Sequence, residues 1–154
     1  MTSTLIKYNV ILIVLCIGIT LIHNSSEAIV KKDVILYYNH LSPQCRSVLL
    51  TLGAFDLEIT LIPIDLLNGE QLPEKLREIN SLHTVPVLED GDFVLSESNA
   101  IIVYLVQQYG GSDHSLYPKD LKIQAQVNQI LNFESRTLYP AIKNLYMNIH
   151  FIII

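Results

Sequence analysis

Asp33-Val34-Ile35-Leu36-Tyr37-Tyr38-Asn39-His40-Leu41-Ser42-Pro43-Gln44-Cys45-Arg46-Ser47-Val48 is the stretch on which the reading of the whole chain turns. Asp33 to Tyr38 is a β-branched and aromatic run suited to a central strand, and it feeds a loop that ends at Ser42-Pro43. Serine at the N-cap with proline at the first helical position is a preferred helix start, because proline lacks only a donor that would be orphaned there anyway. Val48, Leu49, Leu52 and Phe55 then recur at helical spacing, so one face of this helix is expected against a sheet. A strand followed at once by such a helix predicts an α/β unit.

Reading downstream, Glu58 to Ile64 is a second strand, and Asn68-Gly69 marks a turn before a helix near Glu70 to Ile79, with Pro73 early enough to be tolerated. Val85 to Leu88 and Phe93 to Leu95 flank Glu89-Asp90-Gly91-Asp92, which predicts a hairpin around an Asp-Gly turn. A third helix is expected from Glu97 to Tyr109, with Ala100, Ile101, Tyr104 and Leu105 on one side and Gly110-Gly111 as its stop. The order β-α-β-α-β-β-α thus occupies residues 31–110. Residues 111–118 read as a linker. Residues 119–154 read as one or two helices carrying Leu121, Ala125, Ile130 and Leu131, with Pro140 as an interruption. Upstream, Lys7, the apolar run from Val10 to Ile22 and Ser26-Glu27-Ala28 have the layout of a secretory signal peptide over residues 1–28. The run is shorter than the roughly 20 residues a membrane span needs. A genuine leader would direct the chain to the secretory pathway or out of the cell.

Composition removes several function classes. The chain has 154 residues, half of them hydrophobic, which suffices for one well-buried domain and part of another. Net charge is −5. Between His40 and Gly110 the basic residues are Arg46, Lys75 and Arg77 against an excess of acidic ones, so no basic stripe tracks a phosphate backbone and nucleic acid is not expected as a partner. Cys16 and Cys45 lack the spacing of a zinc site or a disulfide framework, so no metal is expected either.

Three constellations could support chemistry. Ser42 places a hydroxyl at a helix N-terminus directly after the first strand, where about half a positive charge and free N–H groups would stabilise a thiolate; the plain alternative is an ordinary N-cap serine. His83-Thr84-Val85-Pro86 precedes the hairpin, where an X-Pro bond in the cis form would turn the Val85 backbone groups outward for an extended peptide-like ligand; the plain alternative is a proline entering an edge strand. Glu97-Ser98 at the start of the third helix offers a carboxylate for an amine and a hydroxyl with a free N–H for a carboxylate, a match for an amino-acid zwitterion. Helix capping is the plain alternative.

The order and spacing of these elements resemble the glutathione site of the cytosolic glutathione S-transferases. Tyr37-Tyr38, Ser42-Pro43-Gln44-Cys45-Arg46-Ser47-Val48, Leu66-Leu67-Asn68-Gly69-Glu70, His83-Thr84-Val85-Pro86, Glu97-Ser98, Ala100-Ile101, Tyr104-Leu105-Val106 and Leu116-Tyr117-Pro118-Lys119-Asp120 are similar to the insect delta/epsilon pattern over residues 33 to 145. The resemblance implies a thioredoxin-like domain followed by a partial all-helical one, and conjugation of glutathione, as co-substrate, to a small hydrophobic electrophile. It also implies a homodimer and a cytoplasmic location if residues 1–28 are not a leader. By the same resemblance Ser42 activates the glutathione thiol, Pro86 is cis, and Val85 pairs with the cysteinyl backbone. His83, Glu97 and Ser98 match positions that bind the two ends of the tripeptide. Gln71, Ser81 and Asn99 depart from the family's usual residues. Ser42 and Cys45 also stand where a thioredoxin-like protein has its two cysteines, and serine at the first position disfavours disulfide exchange. Cys45 reads as a small buried apolar residue. Two rival readings are a non-catalytic glutathione- or peptide-binding module and a disulfide oxidoreductase dependent on Cys45.

Overall fold

The computed structural model of the chain describes residues 29–65, 74–111 and 114–152. The leader-like segment and the Asn68-Gly69 turn lie outside the described residues. The chain divides into two compact units, Met1–Ser112 and Asp113–Ile154.

The first unit runs β1 (Ile29–Tyr38), α1 (Pro43–Ala54), β2 (Leu57–Pro63), α2 (Glu74–Ile79), β3 (Val87–Asp90), β4 (Phe93–Ser96) and α3 (Ser98–Tyr109). This is the β-α-β-α-β-β-α order read from the sequence, and the domain is thioredoxin-like. The strands form one sheet in the order β2-β1-β3-β4. β1 is parallel to β2 and antiparallel to β3, and β3 is antiparallel to β4. A parallel pair needs a crossover, and α1 supplies it. β1 begins earlier than the sequence suggested: Ile29 to Lys31 pair with Leu57 to Ile59, and after an irregularity pairing resumes between Ile35 and Thr60. Its first five residues are exposed, and Lys31, Lys32 and Asp33 break the apolar pattern that would have announced them.

Alternate residues of β1 face opposite sides of the sheet. Val34, Leu36 and Tyr38 join Cys45, Val48 and Leu52 of α1 and Ile101 and Leu105 of α3 in the larger core. Tyr37 joins Ile64, Leu76 of α2 and Val87 on the other face. Each buried aliphatic side chain stabilises the fold by about 1.5–3 kcal/mol relative to exposure. Ala100, expected on the packed side of α3, is exposed; the buried stripe is Ile101, Leu105 and Val106. In the hairpin Asp90 pairs with Phe93, so the turn is Gly91-Asp92, one residue beyond the Asp-Gly centre expected. Gly91 takes φ +62 there, a value that a side chain would disfavour.

In the second unit Asp120 caps α4 (Leu121–Phe133), its Oδ1 accepting from the Lys122 and Ile123 amides at 2.9 and 3.1 Å. A π-helical turn, Glu134–Leu138, leads into α5 (Tyr139–Ile152). Pro140 was expected to interrupt the chain, yet the helix continues. Proline cannot donate to the carbonyl four residues back, and the wider turn, in which the Tyr139 amide donates to the Glu134 carbonyl, accommodates the loss just upstream. Among the described residues no helix is long and apolar enough to cross a membrane.

The turn end of the hairpin is tied to α3 through Asp90. Its Oδ2 accepts from the Tyr104 hydroxyl at 2.6 Å and the Tyr109 hydroxyl at 2.5 Å. Phe93 packs on Tyr104 with ring centroids 5.1 Å apart, and Lys31 Nζ lies 5.9 Å from the centre of the Tyr109 ring. Burial, then the hydrogen bond to Asp90 and its negative charge, push the Tyr104 hydroxyl up to about 12; the same causes, with further repulsion from Tyr104 and Asp33, push Tyr109 up. A tyrosine raised above its unfolded value near 10 contributes stability that is fully present below about pH 10 and is lost as pH rises through the folded value. The midpoint of urea denaturation is therefore expected to fall between about pH 10 and 12, and to fall less steeply in a Tyr104→Phe/Tyr109→Phe double variant. An identical alkaline slope in the two proteins would remove the tyrosines as its cause.

Candidate functional site

One row of residues crosses the whole sheet. Tyr37 pairs with Ile62 on one side and Val87 on the other, and Val87 pairs with Ser96. Just past this row stand Ile64 after β2, Asn39 after β1, Pro86 before β3 and Glu97 after β4. Ser42, Val85, Pro86, Glu97 and Ser98, read from three separate stretches of sequence, thus lie on segments that enter or leave the sheet at the same edge. His83 lies further up the segment that enters β3.

Ser42 is the N-cap of α1, with extended φ −76 and ψ 118 and Pro43 beginning the helix. Its Oγ accepts from the Cys45 amide at 3.3 Å and donates to Gln44 Oε1 at 3.2 Å. No acidic side chain stands in the first turn of the helix, so the positive end of its dipole is left open to an anion. A sulfur arriving there would accept the Ser42 hydroxyl hydrogen bond that Gln44 Oε1 otherwise accepts. Cys45 is fully buried. Burial pushes its thiol up, opposed by hydrogen bonds from Ser42 and from the Asn39 amide, the latter at 3.4 Å. A protonated, enclosed thiol is a poor nucleophile, so Cys45 itself is not a reactive sulfur at this edge.

The Val85–Pro86 peptide bond is cis, and the Val85 side chain packs against both core clusters. The loop before it is shaped by Asn80, which the sequence reading did not single out. Asn80 is 5% exposed; its Nδ2 donates to the Thr84 carbonyl at 2.8 Å, its Oδ1 accepts from the Leu82 amide at 3.1 Å, and its own carbonyl accepts from the His83 amide at 3.1 Å. His83 emerges from this turn exposed and with φ +54. An asparagine immediately after a helix is the signal that could have identified it.

Glu97 occupies the N-cap of α3 with φ 72 and ψ 110, and its side chain makes no capping hydrogen bond. Capping therefore does not account for this glutamate. Its carbonyl accepts from the Ile101 amide at 3.0 Å, its side chain is exposed, and Ser98 beside it is buried. A side-chain-bearing residue held at such dihedrals costs of order 1–3 kcal/mol and recurs at functional sites. Among the described residues no group of three or more His, Cys, Asp or Glu could hold a metal ion.

The family model described as glutathione S-transferase, N-terminal domain, matches residues 36–113. The chain belongs to the glutathione S-transferase family. A glutathione S-transferase of Anopheles gambiae is 43% identical over 112 residues, which cover 73% of this chain and 51% of that protein. Among solved structures, a delta-class glutathione transferase of Nilaparvata lugens is 45% identical with a TM-score of 0.68, covering 74% of this chain and 53% of that one. A glutathione transferase homolog of Drosophila mojavensis, solved with bound glutathione, is 46% identical with a TM-score of 0.62, covering 67% and 47% respectively. The chain spans about half the length of the curated relatives it matches.

The backbone of Glu97 gives this transferase-family chain a measurable signature. Glycine removes a strain of about 1–3 kcal/mol while adding about 0.5–1 kcal/mol of chain entropy. Glu97→Gly is expected to melt at or above the wild-type temperature, whereas Glu97→Ala, which keeps the Cβ, is expected to melt no higher than wild type. Calorimetry showing Glu97→Gly to be the less stable of the two would mean the position is not strained.

Proposed function

We propose that this chain binds reduced glutathione along the sheet edge formed by Val85–Pro86 and Glu97–Ser98, and that Ser42 stabilises its thiolate for attack on a small hydrophobic electrophile. The observation that carries this reading is Ser42 itself: a hydroxyl at a helix N-terminus with no acidic side chain in its first turn, beside a Cys45 whose burial keeps its thiol protonated and enclosed. In the reaction the glutathione thiol loses its proton to solvent, the sulfur forms a bond to an electrophilic carbon, and either a leaving group departs with its bonding pair or a neighbouring carbon takes up the electron pair and then a proton from solvent. Ser42 contributes one hydrogen bond to the sulfur, the helix end contributes its positive field, and both favour the ionised over the protonated thiol. The cis Val85–Pro86 segment is suited to pair with the peptide backbone of glutathione. His83, Glu97 and Ser98 are suited to its charged ends.

A small hydrophobic electrophile and a second copy of the chain complete this reading. Leu121, Phe133, Ile142 and Leu145 expose apolar surface on the helices of the second unit, the type of surface that takes up an apolar ligand or another protein. Sedimentation at micromolar concentration is expected to give twice the chain mass. A monomer throughout would remove the dimer and leave the glutathione site untouched.

Conjugation of a chlorinated dinitrobenzene, measured alongside retention on immobilised glutathione, tests the central claim. A hydrogen bond to a charged group is worth about 1.5–3 kcal/mol, so Ser42→Ala is expected to lower turnover by roughly 10- to 100-fold with little change in KM for glutathione. Because the bound thiol reacts as its anion, the rate is present above its pKa and is lost as pH falls through it. The inflection is expected below the free-thiol value near 8.5 in wild type, and about one to two units higher in Ser42→Ala. Retention without turnover would mark the chain as a binding module, and neither retention nor turnover would overturn the reading.

A further inference from the structure

We propose that Asn39 is a positioning residue for Ser42, an inference that rests on the reading of Ser42 given above. Every polar group of Asn39 joins a different part of the sheet edge. Its Nδ2 donates to the Ile64 carbonyl at 2.7 Å, just past the end of β2, and its Oδ1 accepts from the Leu41 amide at 2.8 Å. Its carbonyl accepts from the Ser42 amide at 3.1 Å, and its amide donates to Cys45 Sγ at 3.4 Å in the first turn of α1. A carbonyl can only accept and an amide N–H can only donate, so the orientation of the side-chain amide follows from its two neighbours.

The loop from Asn39 to Ser42 carries the chain from a buried strand to a helix in four residues, and its own apolar content does not hold it down. Leu41 is 63% exposed, and His40 is exposed as well, its ring edge-on to Tyr38 at 4.8 Å and its Nε2 3.2 Å from the Tyr38 hydroxyl. Asn39 supplies the anchorage instead. The Ile64 amide already donates to the Tyr38 carbonyl at 2.7 Å, so the Asn39 amide extends the tie between β1 and β2 by one more bond beyond the end of the sheet. The turn it closes on Leu41 then sets the direction in which Ser42 enters α1. Ser42 Oγ, whose angle to an incoming sulfur decides the strength of its hydrogen bond, inherits its position from this anchor.

Two variants and two readouts test the assignment. Asn39→Leu removes both side-chain hydrogen bonds at similar volume; Asn39→Asp keeps the acceptor for Leu41 and loses the donor to Ile64. The first readout needs no ligand: hydrogen exchange at the Cys45 amide, which is held by Ser42 Oγ, and at the Ser42 amide is expected to quicken at least about tenfold in Asn39→Leu and to a lesser degree in Asn39→Asp. Exchange in the core of α3, at Leu105, is expected to stay as in wild type. The second readout is conjugation. Asn39→Leu is expected to lower turnover by about tenfold and raise the inflection of the pH–rate profile, and this loss is expected to vanish when the variant is made in a Ser42→Ala background, as it must if Asn39 acts through Ser42. Unchanged exchange at Ser42 and Cys45 in both variants, or an equal loss of turnover with and without Ser42, would overturn the proposal. Faster exchange in a protein that neither binds glutathione nor turns over would leave Asn39 as the anchor of the loop and discard the reading of Ser42.

Discussion

The pairing of β1 with both of its neighbours is the constraint from which the candidate site follows. Tyr37 stands opposite Ile62 and Val87, and Val87 opposite Ser96, so all four strands come level with one another at one edge. Because the side-chain period of a strand is two, a slip of one residue would exchange Leu36 and Tyr37 between the two faces of the sheet and empty both cores. Burial of these residues therefore fixes the register. The register in turn fixes where the segments after β1 and β4 and before β3 begin.

What happens beyond the edge is governed by hydrogen bonding. Backbone groups that leave a sheet at its buried end need partners, and two asparagines provide them in the same way. Asn39 and Asn80 each give Nδ2 to a carbonyl, take the amide two residues on with Oδ1, and take the amide three residues on with their own carbonyl. One closes the approach to Ser42 and the other the approach to His83. Among the described residues no buried side-chain nitrogen or oxygen lacks a partner.

Strain at Glu97 has a complementary origin. Helix α3 is held by Ile101 and Leu105 in the core and, at its far end, by Tyr104 and Tyr109 on Asp90. Strand β4 is held by its pairing with β3. A single residue, Glu97, joins two elements whose directions are already set, and it absorbs the change of course with φ 72. The ties around Asp90 and the strained connection are thus two ends of the same helix, and the packing that makes the first favourable makes the second tolerable.

The element order, the start of α1 at Ser42-Pro43, the hairpin and the resemblance to glutathione S-transferases were legible in the residues themselves, because strand alternation, helix capping and turn chemistry act over a few neighbours in the chain. The early start of β1 and the helical passage through Pro140 were not: charged Lys31, Lys32 and Asp33 hide a paired segment whose hydrogen bonds come from β2, and a π-helical turn upstream reconciles the proline with its helix. The positions of Asn39 and Asp90 as anchors, and the backbone of Glu97, also waited on the tertiary structure. Each depends on a hydrogen bond or a fixed direction supplied by a segment distant in sequence, and local pattern contains no record of how far such a segment will be folded away.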